Sequence, residues 1–217
     1  MSKSRNWVFF IGYILFLLLL DTLWYWRVPQ ALENVNNNLV LRECLYVTGK
    51  LVMMVIPVLL YLKYIDLKEP FEYLKLKNHK ITGIKWGFIV GAGFVIYYLI
   101  IASITKAMNI NFNIGINYWI AGLLVGFVEE VPFRGFILQK LQEHFNFWTA
   151  NLITVFIFLL YHYPTWFFSG HFKLFGFNVV FTGIIFGYML KKSKSLWSAI
   201  ITHSIVDLSI WIIIGLS

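Results

Sequence analysis

Long apolar runs alternate with short polar connections along most of the chain. About 20 apolar residues are enough for a helix to cross the hydrocarbon core of a bilayer, and seven runs approach this length. They cover residues 7–26, 44–65, 84–105, 117–141, 147–165, 174–190 and 196–215. A membrane β-barrel would instead show segments of about ten residues with alternating hydrophobicity. The pattern therefore predicts an all-α fold, a polytopic transmembrane helical bundle of about seven spans, within a range of six to eight.

The composition supports this prediction and excludes other classes of protein. Of the 217 residues, 59% are hydrophobic and only 13% are charged, whereas an average soluble domain has about 25% charged residues. A single soluble domain could not bury so much apolar surface. The net charge of +8 is divided among short loops, so it indicates membrane topology. A nucleic-acid partner would require a basic soluble face, and none is predicted.

The basic residues predict how the chain is oriented. Most of them fall in the loops or at the span ends on one side of the membrane if the N-terminus is cytoplasmic: Lys3, Arg5, Lys63, Lys68, Lys75, Lys77, Lys80, Lys85, Lys140, Lys191, Lys192 and Lys194. By the positive-inside rule, we expect a cytoplasmic N-terminus and a C-terminus outside. The small size and the composition favour a bacterial plasma membrane. Asp21 and Lys50 lie toward the outer ends of spans one and two, where they either pair with each other or extend to the interface.

Apart from Lys140 at its end, the predicted span four contains three charged residues. Charged side chains are costly in the bilayer and usually mark functional sites. Glu130 and Arg134 are four residues apart, so they share a helix face and can form an ion pair. Glu129 is rotated by about 100° from Glu130 and has no partner in its own segment, which suits a general base. A charge network that only holds helices together would explain the pair better than it explains Glu129.

Two further spans carry polar groups. Phe158 and His162 end span five, and a lone histidine in an apolar helix is usually a hydrogen-bonded packing residue. In span seven, the spacing of His203 and Asp207 places both side chains on one helix face. Such a pair can bind a metal, orient a water, donate to an oxyanion, or form a buried hydrogen bond without chemistry.

The three patterns, Glu-Glu-x-x-x-Arg, Phe-x-x-x-His and His-x-x-x-Asp, occur in the order found in one family of intramembrane proteases. The chain resembles the CPBP (CAAX protease and bacteriocin-processing, also called ABI) family over residues 118–207. The resemblance implies an intramembrane endopeptidase that cleaves a membrane-presented peptide or protein. It also implies a division into spans one to three with their basic loop, residues 1–116, and a catalytic core of spans four to seven, residues 117–217. Within that core, Glu130 and Arg134 would give structural support.

The resemblance also implies catalytic roles. Glu129 and His162 would position and deprotonate the attacking water, and His203 and Asp207 would stabilise the oxyanion or complete a metal site. The eukaryotic prenyl-protein proteases of the family have Asn where this chain has Asp207. Because an ionised Asp cannot donate a hydrogen bond, Asp207 must be protonated, orient His203, or bind a metal.

Two mechanisms are open, one that requires a metal ion and one that does not. Glu129, His162, His203 and Asp207 form a nitrogen and oxygen ligand set that Zn²⁺ accepts. The family has been interpreted both as metalloproteases and as metal-independent glutamate proteases, and this chain has no His-Glu-x-x-His helix. We expect no obligatory metal, with Zn²⁺ as the alternative.

The substrate remains open at this level. Bacteriocin maturation or self-immunity is expected ahead of prenyl-protein CaaX processing. A non-catalytic membrane immunity or scaffolding protein is the alternative from another class, and it predicts that alanine at Glu129, His162 or His203 leaves the phenotype intact. A transporter with a proton relay is disfavoured, because the chain has no inverted repeats or paired broken helices. The oligomeric state is not predicted.

Overall fold

The computed structural model describes residues 3–35, 38–169 and 172–215. All regular elements in these ranges are helical, which confirms the all-α prediction. The α-helices are α1 (Lys3–Val35), α2 (Leu39–Lys50), α3 (Ile56–Leu60), α4 (Pro70–Tyr73), α5 (Lys80–Thr105), α6 (Ile116–Glu130), α7 (Gln139–Gln142), α8 (Phe147–Ser169), α9 (Phe172–Ser193) and α10 (Trp197–Ile213). The π-helical segments are Leu51–Val55, Tyr61–Ile65 and Val131–Leu138.

Four of the described helices are long and apolar enough to cross a membrane. They are Trp7–Val28, Val40–Ile65, Lys80–Thr105 and Phe147–Thr165, and they correspond to predicted spans one, two, three and five. The predicted spans four, six and seven are helical as well. Span four consists of α6, a π-helical segment and α7, span six is α9, and span seven is the shorter apolar helix α10.

The outer surface of the bundle is apolar. Large side chains such as Leu15, Ile96 and Phe156 are 63%, 59% and 58% exposed. Exposed large apolar side chains in such number would be an aggregation liability in water, but in a bilayer they contact lipid tails. The protein is therefore an integral membrane protein.

Close packing of α6 against α10 places the acidic pair beside the last motif. A Cβ atom at Gly126 would overlap the backbone carbonyl of Ile200 and the hydroxyl of Ser204. Only glycine lets the two helix backbones come this close, as is common for small residues between membrane helices. Glu129 and Glu130 follow within about one turn of this contact, so they face α10 at the level of His203.

The helix of span four changes its geometry directly after the acidic pair. Pro132 has no N–H and cannot donate to the carbonyl of Val128, and the π-helical segment Val131–Leu138 begins at this point. All eight residues of the segment are buried. π-helical insertions in α-helices occur frequently at functional sites, and this segment carries Arg134 into the core.

Candidate active site

The three sequence motifs converge on one cavity of about 320 Å³. Glu129 reaches the cavity from α6, His162 from α8, and His203 and Asp207 from α10. Residues from three separate helices therefore meet at one site.

Glu129 lies between the two histidines. Its Oε2 atom is 3.8 Å from Nε2 of His162 and 3.9 Å from Nε2 of His203. This oxygen is buried and receives no hydrogen bond from the residues that the structure describes. Each separation is too long for a direct hydrogen bond but shorter than two hydrogen bonds in series, about 5.6–6 Å. One water molecule can thus bridge the carboxylate and an imidazole.

Hydrogen bonds at the Nδ1 atoms orient both imidazole rings. Nδ1 of His162 lies 2.8 Å from the carbonyl of Phe158, which can only accept, so this nitrogen carries the proton. Nδ1 of His203 lies 2.8 Å from Oε1 of Glu130, and an ionised carboxylate also only accepts. In both rings Nε2 is therefore the atom directed toward the central carboxylate. Nε2 of His203 is also 3.8 Å from Oδ1 of Asp207.

The predicted ion pair of Glu130 and Arg134 forms and is fully buried. Nη1 of Arg134 donates to Oε1 of Glu130 over 3.0 Å, and neither side chain is exposed. The guanidinium lies over the ring of Phe158 at 4.2 Å and near that of Phe186 at 5.5 Å. Because Oε1 of Glu130 also accepts from His203, the pair connects span four to the histidine of span seven.

Two residues that the motifs do not predict also contact the acidic centre. The hydroxyl of Tyr161 donates to Oε1 of Glu129 over 3.1 Å and accepts from Nζ of Lys50 over 2.9 Å. Lys50 also pairs with Asp21, with Nζ 3.9 Å from Oδ1. Of the two alternatives that the sequence left open, the residues therefore pair with each other and do not extend to the interface. In the sequence, Lys50 could be noticed only as a lysine within an apolar run, and Tyr161 only as a tyrosine next to a motif histidine. Neither signal indicates that the two side chains meet at Glu129.

The remaining wall of the cavity is polar and aromatic. Asn178 on α9 accepts a hydrogen bond from the hydroxyl of Tyr98 over 2.8 Å. Tyr118 and Trp211 pack edge to face, with ring centroids 5.5 Å apart. All but Tyr98 line the cavity. Such a wall offers hydrogen-bonding groups and flat apolar surfaces, which are the features that hold a small ligand or a peptide segment.

The distances between the nitrogen and oxygen atoms around Glu129 show whether these side chains are arranged to bind Zn²⁺. Among the described residues, no group of three or more His, Cys, Asp or Glu side chains is arranged to hold a metal ion. Ligand distances of about 2.0–2.2 Å place tetrahedral donors about 3.4 Å apart. The separations of 3.8 and 3.9 Å around Glu129 are wider, so the donor types fit Zn²⁺ but their arrangement does not.

Comparison with known proteins supports the resemblance seen in the motifs. The family model described as type II CAAX prenyl endopeptidase Rce1-like matches residues 111–209. The matched segment contains all three motifs, and the match confirms the resemblance to the CPBP family. No curated protein and no solved structure matches the chain.

Proposed function

Residues 111–209 belong to the CAAX-protease (CPBP) family, and from this membership we propose that the chain is an intramembrane endopeptidase that uses water activated by Glu129 and His162. The observation that carries the proposal is the position of Oε2 of Glu129, within 3.8 and 3.9 Å of the Nε2 atoms of His162 and His203. The substrate class is a peptide or protein segment presented at the membrane.

In the proposed mechanism, Glu129 is the general base. A water between Oε2 of Glu129 and Nε2 of His162 gives its proton to the carboxylate while its oxygen attacks the carbonyl carbon of the peptide bond. His162 holds this water with the lone pair of Nε2, because its Nδ1 donates to Phe158. The protonated Glu129 then delivers the proton to the nitrogen of the leaving amine, so the glutamate is regenerated. General acid–base catalysis of this kind contributes about 10²–10⁴-fold to the rate.

His203 and Asp207 act on the oxyanion in this proposal. As an imidazolium, His203 donates Nδ1–H to Glu130 and directs Nε2–H toward the negative charge that develops on the carbonyl oxygen. Asp207, with Oδ1 at 3.8 Å from Nε2, orients the imidazolium. Donors placed in advance at a developing oxyanion typically contribute 10²–10³-fold to kcat.

The test compares cleavage of candidate membrane peptides by the wild-type chain and by Glu129→Gln in detergent. The substitution keeps the shape of the side chain and removes the base, so we expect a loss of about 10²–10⁴-fold in kcat with unchanged folding. Glu72→Gln is a matched control, because Glu72 is exposed on α4 and lies outside the cavity. Equal cleavage by wild type and Glu129→Gln would contradict the mechanism.

The metal requirement has its own test. We propose that no metal is obligatory, so cleavage should persist after prolonged dialysis against a chelator. Loss of cleavage that is restored by Zn²⁺ alone would instead assign Glu129, His162, His203 and Asp207 as ligands.

For the substrate, we propose bacteriocin maturation or self-immunity rather than prenyl-protein processing, on the basis of the small size of the chain and its composition. Matched peptides with and without a C-terminal prenylcysteine motif separate these alternatives. Preferential cleavage of the prenylated peptide would overturn this choice of substrate, but the assignment as a protease would stand. A phenotype that survives alanine at Glu129, His162 and His203 would favour the non-catalytic immunity or scaffolding alternative.

We propose a bacterial plasma membrane with the N-terminus in the cytoplasm and the C-terminus outside. The support is the distribution of Lys and Arg among the loops.

A further inference from the structure

Lys50 connects the first two spans to the candidate active site. It is the last residue of α2, it is 7% exposed, and it lines the same cavity as Glu129. Its Nζ atom is 2.9 Å from the hydroxyl of Tyr161 and 4.0 Å from Oε1 of Glu129. Lys50 lies outside residues 111–209, so none of the three motifs accounts for it.

The direction of the hydrogen bonds between Lys50 and Glu129 follows from the donors available. A lysine ammonium only donates, so the hydroxyl of Tyr161 must accept from Lys50. The one hydrogen of Tyr161 then has two acceptors within reach, Oε1 of Glu129 at 3.1 Å and Sδ of Met54 at 3.5 Å. The carboxylate oxygen is nearer, and a thioether sulfur is only a weak acceptor, so the hydrogen goes to Glu129. One carboxylate oxygen is thereby held by Tyr161, and the other, Oε2, is left directed at the two histidines. Hydrogen bonds in such a series strengthen each other when they are buried.

Lys50 is in turn held from the side of α1. Its Nζ atom lies 3.5 Å from the hydroxyl of Tyr25 and 3.9 Å from Oδ1 of Asp21, which is 3% exposed. A Cβ atom at Gly49 would overlap the ring of Trp24, so glycine at this position lets α2 approach α1 closely. The ammonium therefore has aromatic, hydroxyl and carboxylate partners that limit where it can lie.

We propose that Lys50, acting through Tyr161, is a positioning residue for Glu129, so that spans one and two complete the active site. This inference rests on the proposed role of Glu129 as the base. Lys50 and Tyr161 do not touch the reacting atoms. They fix one oxygen of the carboxylate, and this fixes the direction of the other.

The first test measures kcat and KM separately for Lys50→Met and Tyr161→Phe. A base displaced by about 1 Å costs about 10²-fold in rate, so we expect a loss of this size in kcat with little change in KM. The double variant should lose no more than the more damaged single variant, because both changes interrupt the same series of hydrogen bonds. Lys50→Arg keeps the charge and the donors and should recover part of the loss.

Lys140→Met is the matched control. Lys140 is also 7% exposed and is also paired with a carboxylate, with Nζ 2.6 Å from Oδ2 of Asp66, but it does not line the cavity. Its loss removes a buried ammonium without touching Tyr161, so kcat should stay at the wild-type value.

The second test does not depend on peptidase activity. Thermal unfolding in detergent is compared for Lys50→Met, Glu129→Gln and the double variant. If Lys50 and Glu129 are coupled, Lys50→Met lowers the Tm less in the Glu129→Gln background than in the wild type. This measurement requires no substrate.

The outcomes separate the two proposals. A Glu129→Gln variant as active as wild type would contradict the proposed function, whatever Lys50 does. Additive changes in Tm would overturn the role of Lys50. Wild-type kcat in Lys50→Met, beside an inactive Glu129→Gln, would also overturn it and leave the protease assignment standing.

Discussion

Nδ1 of His203 lies 2.8 Å from Oε1 of Glu130, so the second glutamate of the acidic pair orients the histidine of the last motif. The same oxygen accepts from Arg134. Adjacent glutamates thus have different surroundings: Glu130 contacts a guanidinium and an imidazole directly, whereas Glu129 faces the cavity. This difference leads to distinct expectations for the two residues.

Glu130→Gln should destabilise the fold more than Glu129→Gln. Removing one partner of a buried ion pair costs about 3–5 kcal/mol, because Arg134 stays buried without a counter-charge. The comparison is made by Tm in one detergent. A Glu130→Gln variant as stable as Glu129→Gln would show that the ion pair is not what holds this part of the bundle.

His162→Gln should lose about 10²–10⁴-fold in kcat while keeping its Tm near the wild-type value. The expectation follows from the position of Nε2, which faces Oε2 of Glu129 at 3.8 Å. His144→Gln serves as the control, since His144 is exposed and lies outside the cavity. If His162→Gln retains full activity, the histidine is only a packing residue.

Asp207→Asn should retain substantial cleavage, whereas Asp207→Leu should lose it. The resemblance implies that the family accepts either Asn or Asp at this position, and an amide provides both a donor and an acceptor. Rates are measured with one peptide at saturating concentration. Equal loss in both variants would mean that the negative charge of Asp207 is required.

Cys44 should react with a membrane-impermeant maleimide added to intact cells. It is the only cysteine of the chain and its side chain is exposed. It lies in the first turns of the span Val40–Ile65, at the end that the proposed orientation places outside. A cysteine introduced at Lys77 into a Cys44→Ser chain should react only after permeabilisation, because that loop is proposed to be cytoplasmic. The reverse labelling pattern would invert the topology.

Residue spacing was enough to predict the local parts of the site. Glu130 and Arg134 pair within one helix turn, and the spacing of His203 and Asp207 places them on one face, since four residues make about one turn. The contact between Lys50 and Tyr161 could not be predicted in this way. The two residues are 111 positions apart, and their meeting depends on how α2 and α8 both pack against α1.

By itself, the sequence determined the helical membrane class and the motifs of the family, because hydrophobic run length and helical periodicity are properties of neighbouring residues. The tertiary structure decided which atoms face each other. Close packing at Gly126 placed the acidic pair against α10, and the hydroxyl of Tyr161 took one oxygen of Glu129 and left the other directed at the histidines. Such relationships depend on the packing of whole helices, which no local pattern in the chain encodes.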